Sequence, residues 1–236
     1  MSGSSPLYDD PALAAAYARV TAANVANAAY ERPAIRALLG AVHGTDLLDA
    51  GCAAGEHAAW LVERGARVTA LDASATMVRL AGVRLGASAR VLQADLAQPL
   101  PFADGSFDRV FSSLTLHYLA EWLPTLREFA RVLRRGGRLV FSTHHPFMTA
   151  DRVQDYHAVA LVEDAWSGFG AEPVAVSYYH RSLQRILDEL AAAGFTLRAV
   201  REPRPTAAAA GRDPVLAAHL RTRPGFLLVD AEPAPR

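Results

Sequence analysis

A loop of very small residues follows an apolar run that ends in Asp49, and this loop constrains the fold more than any other feature of the chain. It contains Gly51, Ala53 and Gly55, and a helical pattern begins directly after it. Small residues let a backbone approach a ligand closely, and the N-terminus of the following helix offers free N–H groups. The unit therefore predicts a strand, a ligand-binding loop and a helix within an α/β fold.

Two further acidic residues, Asp72 and Asp95, end later apolar runs. Each of the three acids follows the previous one by 23 residues, at positions 49, 72 and 95. One Asp at a strand end is weak evidence, because it often serves as a cap or turn residue. Three such residues at successive strand ends are expected to lie along one edge of a parallel sheet, where a single nucleoside-bearing cofactor can span them. The cofactor we predict is S-adenosylmethionine.

This pattern offers a candidate binding residue for each part of the cofactor. We expect Asp49 to accept from the ammonium of the amino-acid tail, and the small loop to pack under the tail carboxylate and the ribose. Asp72 is expected to bind both ribose hydroxyls through its two oxygens. Asp95 and the Leu96 amide suit the adenine edge, and Met77 is expected to pack on the adenine face.

A dinucleotide-dependent dehydrogenase is the main competing interpretation, since its ribose-binding acid lies about 20 residues past the glycines. Its fingerprint requires glycine at the first, third and sixth loop positions. This chain has Gly51, Ala53 and Glu56 there. A glutamate is poorly tolerated where the helix presses against a strand and a pyrophosphate, so the dehydrogenase interpretation is disfavoured.

Composition excludes several classes of function. The chain of 236 residues has 24 basic and 24 acidic residues and a net charge of zero, which argues against a nucleic-acid partner. Every basic residue is arginine, which excludes a Schiff-base or phosphate-loop lysine. Cys52 is the single cysteine, and neither a secretion signal nor an apolar run of ~18 residues is present. A cytoplasmic protein without membrane association is the default expectation, either a monomer or a homodimer.

Short apolar runs alternate with helical patterns along most of the chain. Residues 9–42 are helical in pattern, and Pro33 is expected to start a fresh helix. Strands are predicted at 46–50, 67–72, 90–94, 107–113, 138–144, 195–200 and 226–230, and helices near 56–64, 74–85, 122–134 and 182–193. Gly136 and Gly137 are expected to mark a helix end and a turn. Such alternation indicates a parallel sheet with right-handed crossovers.

With these motifs the chain resembles the class I S-adenosylmethionine-dependent methyltransferases, especially small bacterial enzymes related to the quinone-methylating ones. The matching segments lie at 47–55, 71–77, 95–102, 106–110, 113–118 and 128–137. The resemblance implies one domain over 1–236, with an N-terminal helical cover over 1–45 and a Rossmann-like, doubly wound seven-stranded sheet whose last strand is antiparallel. The cofactor residues it implies are Tyr17, Asp49, Gly51, Ala53, Gly55, Asp72, Ala73, Met77, Asp95, Leu96 and Ser113. Ala53 departs from the family pattern, which usually has glycine there, and is costly if its φ is positive.

Methyl transfer to an oxygen, nitrogen or carbon atom of a small organic acceptor is the predicted activity. The alternative is a protein of the same fold that binds the cofactor without methyl transfer, as a cyclase or a sensor. Candidate bases are His117, His144 and His145. Adjacent strand residues face opposite ways, so at most one of His144 and His145 enters the site, and we favour His145. His117 either shapes the floor beneath the methyl donor or simply packs, and no metal site is expected.

Residues 146–180 interrupt the alternation and form an insertion after the fifth strand. Two interpretations stay open: a cap that covers the cleft, or a surface hairpin with its own apolar cluster. As a cap, it suits an aromatic or apolar acceptor. Its aromatic residues are Tyr156, Trp166, Phe169, Tyr178 and Tyr179.

Overall fold

The computed structural model describes residues 6–234, so the outer bounds of the predicted domain and N-terminal cover lie outside it. The strands are β1 (Asp46–Ala50), β2 (Arg67–Asp72), β3 (Arg90–Gln93), β4 (Phe107–Ser113), β5 (Leu133–His144), β6 (Ala160–Trp166), β7 (Val174–His180), β8 (Phe195–Arg201) and β9 (Phe226–Pro233). The α-helices are α1 (Pro6–Asp9), α2 (Pro11–Ala23), α3 (Arg32–Leu39), α4 (Glu56–Glu63), α5 (Ala75–Leu85), α6 (Leu123–Val132), α7 (Pro146–Thr149), α8 (Leu183–Ala192), α9 (Ala207–Arg212) and α10 (Pro214–Thr222).

Seven strands form one sheet in the order β3-β2-β1-β4-β5-β9-β8. Neighbours from β3 to β5 are parallel, whereas β9 runs antiparallel to both β5 and β8. The chain winds outward from β1 in both directions, so the carboxyl ends of β1 and β4 are adjacent at the switch point, where ligands bind in open α/β sheets. The predicted seven-stranded fold, with its last strand antiparallel, is confirmed.

Both faces of the sheet are covered, which explains why its central strands are continuous apolar runs. On one face α6 and α8 bury Leu126, Phe129 and Leu190 against the sheet. On the other face α3 and α4 bury Ile35 and Leu61. Within the described residues, no helix is long and apolar enough to cross a membrane.

The N-terminal segment contains a helix of unusual width. Residues Ala26–Glu31 form a π-helical turn that leads directly into α3. Pro33 lies in the first turn of α3, but α3 continues the π-helical turn, so the prediction of a fresh helix start at Pro33 needs correction. A π-turn rotates the residues that follow it relative to an α-helix, and such turns often occur at functional sites.

Two sequence-based boundaries need correction. β5 begins at Leu133 rather than at 138, and α6 ends before the glycine pair. Gly136 and Gly137 therefore lie within the strand, at a register shift between β4 and β5. A Cβ on Gly137 would lie 2.9 Å from the Arg134 carbonyl oxygen, so this close backbone approach requires glycine.

The insertion at 146–180 forms α7 and an antiparallel hairpin of β6 and β7. Val162, Val176 and Tyr178 of the hairpin bury an apolar cluster together with Leu7 of α1. The partly buried Tyr17 of α2 packs against the same cluster. The hairpin thus has its own apolar cluster, and that cluster attaches it to the N-terminal helices.

The loop between β1 and α4 adopts a left-handed conformation at three positions. Gly51 has φ +84° and Gly55 has φ +77°, and a Cβ on Gly51 would lie 2.3 Å from Thr115. Ala53 has φ +46°, so the position that departs from the family pattern does require positive φ. An L-residue in this region is strained, whereas glycine is not.

Replacing Ala53 by glycine should therefore stabilise the protein. We expect Ala53→Gly to raise the free energy of unfolding by about 0.5–1 kcal/mol, since relief of strain exceeds the added entropy of the unfolded chain. Urea denaturation measures this change. Ala191→Gly in α8 is the control and should lower the same free energy by about 0.5–1 kcal/mol. A loss of stability in Ala53→Gly would contradict the strain argument.

Candidate functional site

Three cavities adjoin one another at the carboxyl edge of the sheet. We call them the strand-end cavity, of about 150 Å³, the small polar cavity, of about 60 Å³, and the hairpin cavity, of about 510 Å³. Tyr17 of α2 and Leu114, directly after β4, line all three. The three cavities therefore meet at these two residues.

The strand-end cavity brings together most of the residues that the sequence singled out. Its predicted lining residues are Tyr17, Gly51, Ala53, Asp72, Ala73, Asp95, Leu96 and Ser113. The sequence did not single out Tyr8 or Tyr118, whose hydroxyl oxygens lie 2.5 Å apart. Tyr8 and Tyr17 come from the N-terminal helices, so these helices close one side of the cavity.

Backbone amides orient the carboxylate of Asp72. The Ala53 N–H donates to its Oδ2 at 2.9 Å, and the Ser74 N–H donates to its Oδ1 at 2.9 Å. Burial raises the pKa of Asp72, and these two amides oppose that shift. Asp95 ends the neighbouring strand region and accepts from the Ala97 N–H at 2.9 Å. Both acids are thus fixed in orientation at the cavity.

Asp49 lines the small polar cavity rather than the strand-end cavity. It is 1% exposed, and its Oδ2 has no hydrogen-bond partner within the described part of the chain. Burial, with the nearby charge of Asp72, raises the pKa of Asp49 to about 7. A buried acceptor of this kind is costly unless a donor binds to it.

Arg32 lines the same small cavity, and sequence reasoning missed it. It is largely buried, and its Nη1 lies 4.0 Å from Oε1 of Glu56. Glu31, the preceding residue, is also buried and also lines the cavity. A charged pair at the end of an otherwise apolar, Ala-rich segment was the signal that could have identified both residues.

Two predicted cofactor residues lie outside the cavities. Met77 is fully buried in a cluster with Ala14 and Ala54, so its predicted contact with an adenine face needs correction. Gly55 precedes α4, and a Cβ there would lie 3.2 Å from the Cβ of Ala81. Gly55 therefore lets α4 and α5 pack closely.

His117 and His144 stack on each other beside the hairpin cavity, with ring centroids 3.8 Å apart and planes inclined by 13°. Burial lowers the pKa of both, that of His144 to about 4, so both rings are neutral at pH 7. Among the described residues, neither ring nitrogen of His117 has a hydrogen-bond partner, and the Nδ1 of His144 has none either. His144 is partly exposed, whereas His117 is 2% exposed.

His145 does not line the hairpin cavity, whereas His144 does. Its Nε2 lies 2.8 Å from Oε1 of Glu202, and its Nδ1 accepts from the Phe147 N–H at 3.0 Å. Pro146 starts the short helix α7, which turns His145 into an N-cap. Which of the two adjacent histidines acts on an acceptor stays a prediction.

The inner side of the hairpin lines its cavity with rings and one ion pair. Trp166, Phe169 and Tyr178 line it, whereas Tyr156 and Tyr179 do not. Arg152 donates to Asp164 through Nη1 at 2.7 Å and through Nη2 at 3.1 Å. The hairpin thus lines this cavity as well as holding its own cluster.

This arrangement defines an α/β protein with a nucleoside-cofactor site beside a second, ring-lined cavity. Comparison with known proteins agrees: the family model of a methyltransferase domain matches residues 48–141. A demethylmenaquinone methyltransferase of Clavibacter sepedonicus is 34% identical over 203 residues, which is 81% of each chain. The crystal structure of an S-adenosylmethionine-dependent methyltransferase from Mesorhizobium loti has a TM-score of 0.71 and 33% identity, covering 88% of this chain and 99% of that one.

A malonyl-[acyl-carrier protein] O-methyltransferase of Serratia marcescens is 34% identical over 175 residues, which is 73% of this chain. The chain spans only 64% of that relative's length. The chain belongs to the S-adenosylmethionine-dependent methyltransferase family, whose cofactor is S-adenosylmethionine. Within residues 6–234, no three His, Cys, Asp or Glu side chains are grouped so that they could hold a metal ion.

Proposed function

We propose that the protein transfers the methyl group of S-adenosylmethionine to an oxygen, nitrogen or carbon atom of a small organic acceptor. The observation that carries the proposal is the meeting of three cavities at Tyr17 and Leu114. Adenosine fits the strand-end cavity, the amino-acid tail the small polar cavity, and the acceptor the hairpin cavity. The sulfur then lies where the cavities join, and its methyl group faces the acceptor.

The residues present fit this cofactor. Asp72 accepts from the ribose hydroxyls, and Asp95 with the Leu96 amide binds the adenine edge. The unpartnered Oδ2 of Asp49 gains a donor in the tail ammonium. Arg32, at the other side of the same small cavity, binds the tail carboxylate. The cavity thus offers a negative and a positive group to a zwitterion.

When bound, S-adenosylmethionine supplies a methyl group on a positively charged sulfur, which leaves as a neutral thioether. The chain's own residues hold the acceptor atom in line, about 3–3.5 Å from the methyl carbon, and exclude water. His144 is neutral and partly exposed at the hairpin cavity, so it can accept the proton of an acceptor O–H or N–H. His117 supports it by stacking.

Cofactor binding is the first test. Calorimetric titration with S-adenosylhomocysteine, the demethylated product, should show micromolar affinity. Asp72→Ala should weaken it about 10- to 100-fold with the fold intact, because a charge-assisted hydrogen bond contributes about 1.5–3 kcal/mol. Asp188→Ala, an exposed acid of α8, is the control and should bind as the wild type does. Unchanged affinity in Asp72→Ala would refute the role of Asp72.

The pH dependence of binding tests Asp49. Its pKa is about 7 in the free protein, and an ammonium bound to Oδ2 holds the carboxylate ionised. Binding then releases a proton, and affinity for the product should rise on the order of tenfold between pH 5.5 and 7.5. Titrations in two buffers of different ionisation enthalpy measure the proton release. Asp49→Asn should abolish both effects; if it leaves them unchanged, another group titrates.

Methyl transfer tests His144. Phenols, amines and quinone-like compounds should be screened by mass spectrometry for methylated product. With an acceptor found, His144→Ala should lower kcat by about 10²–10⁴ while product binding stays constant. In the wild type kcat should not fall between pH 8 and 6, since His144 stays neutral. His145→Ala is the control and should keep normal turnover. The opposite outcome, loss in His145→Ala alone, would overturn the assignment.

A further inference from the structure

One buried carboxylate of the N-terminal segment reaches the carboxyl ends of two central strands. Glu31 is the last residue of the π-helical turn and is 1% exposed. Its Oε1 accepts from the Ser113 hydroxyl at 2.9 Å and from the Ser142 hydroxyl at 2.6 Å. Ser113 ends β4 and Ser142 lies in β5, so one oxygen connects three segments of the chain.

The Ser142 side chain connects Glu31 to the turn after β4. An ionised carboxylate only accepts, so the Ser142 hydroxyl donates its single proton to Glu31, which fixes the direction of its lone pairs. The Leu114 N–H donates to the Ser142 hydroxyl oxygen at 3.0 Å and also to the Ser142 carbonyl oxygen at 3.1 Å. Leu114 has φ +50°, an unusual conformation for a leucine, which persists only where the surroundings hold it.

No arginine forms an ion pair with Glu31 within the described residues. Its Oε2 lies 3.9 Å from Nε2 of His57, whose pKa burial lowers well below its usual range, so that ring is neutral. Burial raises the pKa of Glu31, and the two serine hydroxyls together with the more distant charges of Arg32 and Arg36 oppose that shift. An apolar residue would fill the space at lower cost. An apolar residue would lack the two hydrogen bonds by which Glu31 orients the serine hydroxyls.

We propose that Glu31 is a positioning residue, which couples the N-terminal helices to the turn at Leu114. Leu114 and Tyr17 are the two residues that all three cavities share. Glu31 follows the helix of Tyr17 along the chain and bonds Ser113, the residue before Leu114. Without Glu31, the Ser142 hydroxyl loses its fixed orientation and the Leu114 N–H keeps only its bond to the Ser142 carbonyl oxygen, so the turn relaxes and the junction of the cavities loses the shape that binds the cofactor. The identity of that ligand rests on the proposed function; the coupling itself does not.

Binding of S-adenosylhomocysteine by three variants tests the proposal. Glu31→Ala should weaken binding at least tenfold, whereas Glu31→Gln, which keeps an acceptor oxygen for both serines, should stay within threefold of the wild type. Ser142→Ala removes only one hydroxyl and should also weaken binding. It replaces Glu31→Ala in the test if Glu31→Ala does not fold. Glu189→Ala is the control: Glu189 is also buried, bonds Arg181 and Arg185, and lines none of the three cavities. It should bind as the wild type does.

Hydrogen exchange of the ligand-free proteins gives a second readout. In Glu31→Ala, amides of 26–31 and 113–115 should exchange at least tenfold faster than in the wild type, and Glu189→Ala should leave both segments unchanged. Faster exchange at 26–31 alone, or unchanged binding in a folded Glu31→Ala, would overturn the proposal. If the wild type itself does not bind the product, the proposed function fails, while accelerated exchange at both segments still supports the coupling.

Discussion

The carboxylate of Asp72 connects the parts of the molecule on which the strand-end cavity depends. One oxygen holds the loop after β1 through the Ala53 N–H, and the other holds the start of α5 through the Ser74 N–H. The Ser74 hydroxyl donates in turn to the Tyr8 carbonyl oxygen at 2.7 Å, which attaches the N-terminal helices. A strand end, a loop, a helix and the N-terminal cover thus meet around one side chain.

Carboxylates of low exposure are central to this site. Asp49 and Glu31 are nearly inaccessible and Asp72 is partly buried, yet N–H and O–H donors rather than arginines form the hydrogen bonds of Asp72 and Glu31. Burial then leaves Asp49 short of a partner, which is the condition under which an incoming ammonium is favoured. In the small loop, the Ala53 N–H lies close enough to donate to the Asp72 carboxylate, which lowers the cost of burying that group. Ala53 has its strained, positive φ at the position that makes this contact.

Much of the cofactor side could be predicted because its residues follow regular strands. Asp49 and Asp72 end apolar runs whose bounds the structure reproduces, so their common edge followed from parallel topology. Arg32 and Glu31 could not be placed, since their direction depends on a π-turn that no periodicity reveals. His145 is extended before Pro146, as expected, but it is also the N-cap of the helix that Pro146 begins, so its ring bonds the Phe147 N–H and Glu202 and does not line the hairpin cavity. Local backbone geometry therefore determines where Arg32 and Glu31 point, and where His145 points.

Under the proposed function the hairpin cavity takes the acceptor, and charge gives little selectivity there because its charged groups pair with each other and its histidines are neutral. Asp164 accepts from Arg152 twice, and the Trp166 Nε1–H and the Tyr178 hydroxyl lie 3.3 Å from its Oδ2. The ion pair is therefore internally neutral, and the stacked His117 and His144 are neutral because they are buried. Aromatic rings line much of the rest of the hairpin cavity, so shape and stacking discriminate among acceptors more than charge does. Three of these rings, Trp166, Phe169 and Tyr178, lie on the insertion, whereas the others lie on the N-terminal helices and at the sheet edge: Tyr17, His117, Tyr118, His144 and Phe226. Under the proposed function, acceptor choice therefore depends on the insertion and on the sheet edge together.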